Sequence, residues 1–472
     1  MNSDHNAPLT TRGLRIHIIG IGGAGMSAIA RVLLDSGVIV SGSDQRRNPI
    51  TDKLAADGAT IFEGHAPTNV PANADYVLIS SAVKPDNVEL LAAQAANLPI
   101  LKRRDAFPRL LPDKTMIAVA GTHGKTTTTA LIAHLLREAG DDPSYIVGGV
   151  MLNTGDNARA GRGAAFVVEA DEYDYMFLGL NPHIAIITNI EHDHPDMFPT
   201  LDVMIDAFRQ FIKRLPDDGL LIVCADDANA LALAKEHQEA GKPVITYSTL
   251  YPSADWLGSI DSSDDTTRTH FGVRYHHADT RLYDQIALSM AGEHNVRNAL
   301  AALAAVYAYG LPIERFSPAF NTFKGTGRRF ELMGTTRAGI EIYSDYGHHP
   351  SAIKAVLAAA RTRFPDRKLW AVWQPHTFSR SRLLFDEFAH AFGDADHALV
   401  TDVFASREVY QEGDPTGDDL ASAIWDAGHK DARYAGSLAE TADLLRAEAQ
   451  PREVVIIFSA GDAPEIGRQL LK

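Results

Sequence analysis

The chain has 472 residues, a formal net charge of −16 and a hydrophobic content of 45%. Such a content is typical of a folded globular protein and excludes a largely disordered one. The negative charge argues against a general nucleic-acid binder, which needs a basic surface. No apolar run reaches the ~20 residues of a membrane span, and the N-terminus lacks the apolar segment of a signal peptide. We therefore expect a cytoplasmic protein without membrane insertion.

Strand-like apolar runs alternate with amphipathic helical stretches along almost the whole chain. This pattern is typical of parallel sheets covered by helices, and the length indicates about three domains. We place these domains at residues 1–111, 112–326 and 327–472. The segment 324–330 contains two glycines and an arginine pair, and it is predicted to be the hinge before the third domain. The predicted strands are Arg15–Ile19, Val38–Gly42, Tyr76–Ile79, Thr115–Ala120, Ala165–Val168, Ile184–Thr188, Leu220–Cys224, Ile340–Ser344, Leu369–Trp373, Ala398–Thr401 and Val454–Phe458.

The first glycine-rich loop follows the first predicted strand, where Gly20–Gly25 matches the pattern G-x-G-x-x-G. It opens a predicted helix over Met26–Ser36, whose free N–H groups can bind a diphosphate. Asp44, at the end of the next strand, can meet a ribose hydroxyl. On its own this loop fits NAD as well as another nucleoside diphosphate, and a purely structural turn is the third possibility.

The second glycine-rich loop also lies between a predicted strand and a predicted helix. Lys125 can reach the β- and γ-phosphates of ATP, and the Thr126 hydroxyl can ligate Mg²⁺. Val119 stands where the usual phosphate-loop spacing has glycine, so the loop is a shortened variant. The loop residues predicted to bind ATP are Gly121, Thr122, His123, Gly124, Lys125, Thr126 and Thr127.

Two polar segments follow the next strands, at the sheet edge where open α/β folds bind their ligands. The first runs from Glu169 to Glu172, and its carboxylates can hold Mg²⁺; a solvated acidic turn is the alternative. The second, Thr188–His194, contains His192 and His194, either of which can complete a metal site. Spacing alone does not choose between these two histidines.

Six motifs occur in a fixed order, namely GTHGKTTT, EADE, TNIEHDH, GEHNVRNALAA, GRRFE and DYGHHP. This set resembles the Mur ligase family, which builds the peptide stem of the bacterial cell wall. Two further segments, GIGGAGMSAIA and QPHTFSR, are most similar to the members that add L-alanine to UDP-N-acetylmuramate. The resemblance implies an α/β protein with an N-terminal Rossmann-like UDP-binding domain, a central P-loop ATPase-like domain and a C-terminal Rossmann-like domain that binds the amino acid.

The resemblance also implies roles for individual residues. It places the UDP-sugar at Gly22, Gly23, Ala24, Gly25, Asp44, His65 and Ser81. It adds to the ATP site His294, Asn295, Asn298, Arg329 and Asp345. It assigns Mg²⁺ to Thr126, Glu169 and His194, and the incoming amino acid to Tyr346, His348 and Arg380. The catalytic residues that it implies are Lys125, His194, Arg329, His348 and Arg380.

Two departures from the family pattern are visible. Thr377 stands where some relatives have arginine, so Arg380 is expected to bind the amino-acid carboxylate alone. Met197–Ile212 contains no lysine, so no carbamoylated lysine is expected there. The alternatives are a recycling ligase that adds the tripeptide L-Ala-γ-D-Glu-meso-diaminopimelate, an NAD-dependent oxidoreductase and a non-enzymatic nucleotide switch. A monomer and a homodimer are both compatible with the sequence.

Overall fold

A computed structural model describes residues 7–261, 268–276 and 281–472, with the side chains of 281–285 left out of the description. Its strands form three sheets that follow one another along the chain, within residues 15–102, 115–288 and 331–458. The predicted three-domain α/β architecture is confirmed. The boundaries proposed at 111/112 and 326/327 stay predictions. No helix in the described ranges is long and apolar enough to cross a membrane.

The first sheet has five parallel strands in the order β3-β2-β1-β4-β5. Its strands are β1 (Arg15–Ile19), β2 (Ile39–Asp44), β3 (Thr60–Glu63), β4 (Tyr76–Ile79) and β5 (Ile100–Lys102). Its helices are α1 (Ala24–Asp35), α2 (Pro49–Ala56), α3 (Val88–Ala95) and α4 (Arg103–Ala106). Because all five strands are parallel, the residues that follow them collect at one edge of the sheet.

The second sheet has ten strands in the order β15-β14-β13-β12-β11-β10-β6-β9-β7-β8, parallel from β7 to β13 and antiparallel at both ends. Its strands are β6 (Thr115–Ala120), β7 (Ser144–Met151), β8 (Asp156–Arg159), β9 (Ala165–Glu169), β10 (Ile184–Ile187), β11 (Leu220–Cys224), β12 (Val244–Ser248), β13 (Trp256–Ile260), β14 (Thr269–Tyr275) and β15 (Arg281–Leu288). Its helices are α5 (Lys125–Glu138), α6 (Leu201–Ile212), α7 (Ala228–Glu239), α8 (Glu293–Ala308) and α9 (Ile313–Phe316).

The third sheet has six strands in the order β16-β17-β21-β18-β19-β20, and only the β16–β17 pair is antiparallel among them. Its strands are β16 (Glu331–Thr335), β17 (Glu341–Asp345), β18 (Leu369–Trp373), β19 (His397–Thr401), β20 (Ala432–Gly436) and β21 (Val454–Phe458). Its helices are α10 (Pro350–Arg363), α11 (Phe378–Leu383), α12 (Phe385–Ala389), α13 (Gly417–Asp426), α14 (Leu438–Glu448) and α15 (Pro464–Leu470).

The segment predicted to be a hinge adds to the edge of the central sheet before it enters the third domain. Thr326 forms an isolated bridge with Met151, and the Gly327 amide donates to the Val150 carbonyl at 2.8 Å. These backbone hydrogen bonds fix the position at which the chain leaves the second domain. Of the arginine pair that follows, Arg329 donates to Thr126 Oγ1 at the end of the second glycine-rich loop, whereas Arg328 donates to the Ser459 and Gly461 carbonyls of the third domain.

Helix α6 packs through aromatic side chains against Phe177, which lies in the short helical turn Tyr173–Gly179 that follows β9. Phe208 is fully buried, and its ring meets the edge of the Phe177 ring at a centroid distance of 5.4 Å. Phe177 also stacks on Phe211 with the centroids 4.9 Å apart. These aromatic contacts hold α6 in place. Because α6 follows the Thr188–His194 segment along the chain, they also help to fix the position of that segment.

We expect Phe208→Ala to destabilise the second domain by about 3–5 kcal/mol, because truncation leaves a cavity that the fixed neighbours do not fill. The measurement is the urea midpoint of unfolding, followed by circular dichroism. Val203→Ala on the same helix is the control, since Val203 is exposed and should change the free energy by less than ~0.5 kcal/mol. Equal midpoints for the two variants would contradict the packing described here.

Candidate active site

The first glycine-rich loop connects β1 to α1 at the carboxyl edge of the first sheet. Among the described residues, no side chain caps α1 at Gly23, so the first-turn N–H groups are available to an anion. The Gly22 amide donates to Asp44 Oδ2 at 2.9 Å, which fixes the turn against the end of β2. A Cβ on Gly22 would approach that oxygen to 2.9 Å, so glycine is required for this close contact.

His65 and Ser81 follow β3 and β4 and thus lie at the same sheet edge as the loop. Ser81 is exposed, whereas His65 Nδ1 lies 3.1 Å from Ser43 Oγ and 3.4 Å from Glu89 Oε1. Glu89 is fully buried and also accepts from the side chain of Asn69 at 2.7 Å. The structure therefore gathers all the residues predicted for the UDP-sugar, and it adds Glu89 as the anchor of the His65 turn.

Arg103 lies over the first loop, although the sequence analysis did not single it out. A Cβ on Gly25 would come within 2.2 Å of Arg103 Nη1, so the guanidinium contacts the start of α1. The other nitrogen, Nη2, donates to Asp171 Oδ2 of the second domain at 2.7 Å. A basic run directly after the short strand β5 was the available signal.

The second glycine-rich loop leads from β6 into α5, and none of the described side chains caps that helix at Gly124. Gly124 has a φ of +83°, and a Cβ there would lie 2.4 Å from Asn298 Oδ1. Only glycine allows this left-handed turn against α8. The loop is fixed to the end of β10, because the Thr122 amide donates to the Asn189 carbonyl at 3.0 Å.

Lys125 is held by oxygen acceptors from the protein itself. Its Nζ donates to the carbonyls of Gly121 and Thr122 and lies 2.9 Å from Glu172 Oε1. Burial lowers the pKa of Lys125, but the Glu172 carboxylate outweighs that effect and raises it above its usual value. The lysine is therefore a charged group that an incoming phosphate must draw away from Glu172.

Of the three predicted metal ligands, Thr126 and Glu169 contact each other, and His194 lies beside Glu172. Thr126 Oγ1 donates to Glu169 Oε1 at 3.0 Å, and these are hard oxygen ligands of the kind that Mg²⁺ prefers. His194 Nε2 lies 3.8 Å from Glu172 Oε1, and Glu172 Oε2 is buried without a hydrogen-bond partner in the described chain. An orphaned carboxylate oxygen beside an imidazole fits a cation as well. Spacing left His192 open, but its Nε2 is engaged with the Phe198 carbonyl at 2.7 Å.

A cavity of about 700 Å³ lies between the phosphate loop, α8 and the third domain. Its lining contains the predicted nucleotide residues His123, Gly124, Thr127, His294, Asn295, Asn298, Arg329 and Asp345. Arg329 Nη2 donates to Thr126 Oγ1 at 3.3 Å, which joins the start of the third domain to the loop. The Asp345 carboxylate accepts from the amides of Phe330 and Gly347 at 2.8 and 2.6 Å, so it also shapes its own turn.

The residues predicted for the amino acid surround Asp193 of the second domain. Arg380 is 4% exposed, and both its Nε and its Nη2 lie 2.8 Å from Asp193 Oδ1. His348 Nε2 lies 3.7 Å from Asp193 Oδ2, and its Nδ1 is 2.9 Å from the Tyr346 carbonyl. Burial and the Arg380 charge lower the pKa of His348 to about 3, so its imidazole is neutral. His376, within 2.9 Å of Arg380 Nη1, is a further member that the sequence analysis did not name.

Asp193 was also not named, although it lies inside the predicted TNIEHDH motif. Burial raises the pKa of its carboxyl, but the charges of Arg380 and His194 outweigh burial and hold it well below the usual value. The next residue, His194, has a φ of +53°, and its amide donates to Asp193 Oδ1 at 2.7 Å. A positive φ is uncommon for a residue other than glycine, and such strained backbone is typical of functional sites.

Comparisons with known proteins agree with this arrangement. Residues 15–115 match the model of the Mur ligase family, catalytic domain; residues 119–306 match the Mur ligase middle domain; and residues 328–461 match the Mur ligase, glutamate ligase domain. A protein of Roseiflexus sp. (strain RS-1) named UDP-N-acetylmuramate--L-alanine ligase is 42% identical, with 97% of this chain and 98% of that relative covered. The chain belongs to the Mur ligase family. A second relative with the same name, from Geobacter sp. (strain M21), is 41% identical over 97% of both chains.

Solved structures of Mur ligases share the whole architecture. UDP-N-acetylmuramate-alanine ligase MurC from Thermotoga maritima has a TM-score of 0.79 and 28% identity, and the match covers 97% of this chain and 98% of that one. The murein peptide ligase from Psychrobacter arcticus 273-4 has a TM-score of 0.69 and 28% identity, with the same two coverages. Family membership confirms the resemblance stated from the motifs, and it removes the NAD-dependent oxidoreductase and the nucleotide switch as readings of the two loops.

Glu89 anchors the turn at His65 beside the first glycine-rich loop, and the pH dependence of stability tests this role. Burial raises its pKa, but hydrogen bonds from His17 and Ser43 outweigh burial and lower it from 4.5 to about 2. A depressed carboxyl pKa stabilises the fold fully above about pH 4.5, and this contribution is lost as the pH falls towards 2. We expect Glu89→Gln to cost about 1–3 kcal/mol at pH 7, because it breaks buried hydrogen bonds, and to flatten the loss of stability below pH 5.

The measurement is the melting temperature between pH 7 and pH 3. Glu63→Gln is the matched control, since Glu63 ends β3 in the same domain and is exposed. Parallel pH profiles for the wild type and Glu89→Gln would show that Glu89 lacks the assigned role.

Proposed function

We propose that the chain joins L-alanine to the carboxylate of UDP-N-acetylmuramate, with ATP converted to ADP and phosphate. The reaction is a cytoplasmic step in the synthesis of peptidoglycan precursors. The relatives at 41–42% identity that carry this ligase's name support the proposal. The geometry supports it through one observation, which is a continuous line of charged contacts from the phosphate loop to the amino-acid residues.

This line begins at Lys125, 2.9 Å from Glu172, and passes from Glu172 to His194 at 3.8 Å. It continues from His194 to Asp193 at 3.8 Å, and Asp193 meets Arg380 at 2.8 Å. A γ-phosphate at Lys125 and an amino-acid carboxylate at Arg380 would therefore occupy adjacent positions. A ligase needs such adjacent positions, because the carboxylate first accepts the phosphoryl group on its oxygen and the amine then attacks the carbon of the same carboxyl group.

The muramate carboxylate attacks the γ-phosphate first and forms an acyl phosphate. Lys125 and the uncapped amides of α5 stabilise the charge on the transferring group. Thr126 and Glu169 would hold one Mg²⁺ and His194 with Glu172 a second, and these ions would neutralise phosphate charge. The side chains of Arg329 and Asp345 bring the third domain onto the nucleotide.

The amine of L-alanine then attacks the activated carbonyl, and phosphate leaves as the amide forms. Arg380 binds the amino-acid carboxylate, which replaces Asp193 as the partner of the guanidinium. His348 is neutral and adds no positive charge beside the amine. Because Asp193 and Arg380 are almost fully buried, closure of the third domain excludes water from the acyl phosphate.

The recycling ligase is the second candidate, and the full-length similarity to a murein peptide ligase is the observation that favours it. That enzyme class takes a tripeptide in place of L-alanine. The buried position of Arg380 favours a small acceptor, since a longer one requires space that the closed arrangement does not give.

Lys125→Ala should leave the fold intact and lower the rate of phosphate release by on the order of 10²–10³-fold, because one charge-stabilising contact is lost in the transition state. The assay follows phosphate release with saturating UDP-N-acetylmuramate, L-alanine, ATP and Mg²⁺. Lys235→Ala is the matched control, since Lys235 is an exposed lysine on α7. A folded Lys125→Ala protein with near wild-type turnover would remove the phosphate loop from the mechanism.

The acceptor is expected to be L-alanine, with kcat/KM higher than for glycine, L-serine or the tripeptide. Glycine and serine should react weakly, because one methyl or hydroxyl group changes binding by only about 1–3 kcal/mol. The measurement combines phosphate release with the mass of the UDP-linked product. If the tripeptide has the highest kcat/KM, the chain is a recycling ligase and the assignment of Arg380 to a single carboxylate fails.

A further inference from the structure

Three side chains from separate parts of the chain form a group that we term the His–Glu–His cluster, and one of them, His123, was also predicted to bind ATP. His123 comes from the phosphate loop, Glu191 from the segment after β10, and His349 from the N-terminus of α10 in the third domain. One ligand atom of each lies within 4.8 Å of the others. His123 Nε2 and His349 Nδ1 are each 3.4 Å from Glu191 Oε2.

Two nitrogens of this cluster have unused hydrogen-bonding capacity. The Nε2 atoms of His123 and His349 are buried and, within the described residues, have no hydrogen-bond partner. A buried polar atom without a partner costs about 1–3 kcal/mol, so such atoms call for an explanation. The two rings are tilted by 50° relative to each other, and their centroids are 4.8 Å apart.

Surrounding hydrogen bonds fix each member of the cluster in place. The His123 amide donates to Asn189 Oδ1 at 2.9 Å, and the Glu191 amide donates to Thr122 Oγ1 at 2.9 Å. Ser351 Oγ donates to Glu191 Oε2 at 2.6 Å, which ties the carboxylate to the third domain. Metal sites are typically oriented by such outer hydrogen bonds.

We propose that His123, Glu191 and His349 form a transition-metal site, selective for Zn²⁺ or Co²⁺ over Mg²⁺, that clamps the phosphate loop to the third domain. Two imidazoles and one carboxylate with an open fourth position are the donor set of a zinc site, whereas Mg²⁺ prefers a shell of oxygens. The cluster shares no ligand with the pairs assigned to Mg²⁺. His123 and Glu191 line the nucleotide cavity, which supplies room for a water molecule at the fourth position.

The test is titration of the full-length chain with Co²⁺, followed by visible absorption, and with Zn²⁺, followed by calorimetry, both in excess Mg²⁺ and without nucleotide. We expect one site with the intense absorption of four-coordinate Co²⁺. His349→Asn should weaken binding by more than about 100-fold, since even outer-shell changes cost roughly 10–100-fold. This substitution keeps a side-chain acceptor at the α10 N-cap, where His349 accepts from Ser351, so the helix start is preserved.

Glu191→Gln gives a second, independent loss, because it removes the charge but keeps an acceptor for Ser351. His390→Gln is the matched control, an exposed histidine of the third domain that should leave binding unchanged. Zn²⁺ should also raise the melting temperature of the wild type but not that of His349→Asn. The proposal is overturned if Co²⁺ shows only weak octahedral absorption, if His349→Asn binds as the wild type does, or if Glu169→Gln abolishes binding instead. None of these readouts depends on ligase activity.

Discussion

The buried ion pair between Asp193 and Arg380 is the interaction on which the arrangement of the second and third domains depends. Two charges removed from water carry a desolvation cost that is offset only when each has its partner, and loss of one partner costs about 3–5 kcal/mol. Both side chains are almost fully buried, and His348 and His376 pack around them. The pair is therefore stable while the domains are together, and in the proposed reaction the amino-acid carboxylate takes the place of Asp193.

Lys125 is in the same situation at the phosphate loop. Its ammonium is held by two backbone carbonyls and by Glu172, whose other oxygen has no hydrogen-bond partner within the described residues. A phosphate group that binds here competes with the Glu172 carboxylate for Lys125. A metal cation that binds Glu172 would remove that competition. The two cations of the site are thus held ready by internal anions, which keeps each charge in position before substrates arrive.

The sequence predicted what depends on local pattern and missed what depends on partners. The strand Leu220–Cys224 matches its prediction because a continuous apolar run is typical of a strand buried on both faces. The edge strand Asp156–Arg159 was not predicted, since it is short and polar and owes its conformation to pairing with β7. The phosphate loop was visible because its chemistry is contiguous. The roles of Asp193 and Arg103 were not visible in the sequence. Asp193 contacts Arg380 across 187 positions of the chain, and Arg103 contacts Asp171 across 68 positions.

The acidic segments of the central domain hold one cation from each part of the molecule. Asp171 binds Arg103, which covers the diphosphate loop of the first domain, and Glu172 binds Lys125 of the central domain itself. Asp193 binds Arg380 of the third domain. Because parallel strands deliver these carboxylates to one sheet edge, a single edge sets the relative positions of three binding loops. A substrate anion that replaces one of these carboxylates therefore changes the contact between two domains as well as the contact with the protein. In the proposed reaction, substrate binding is therefore coupled to the contact between the domains through these same charges.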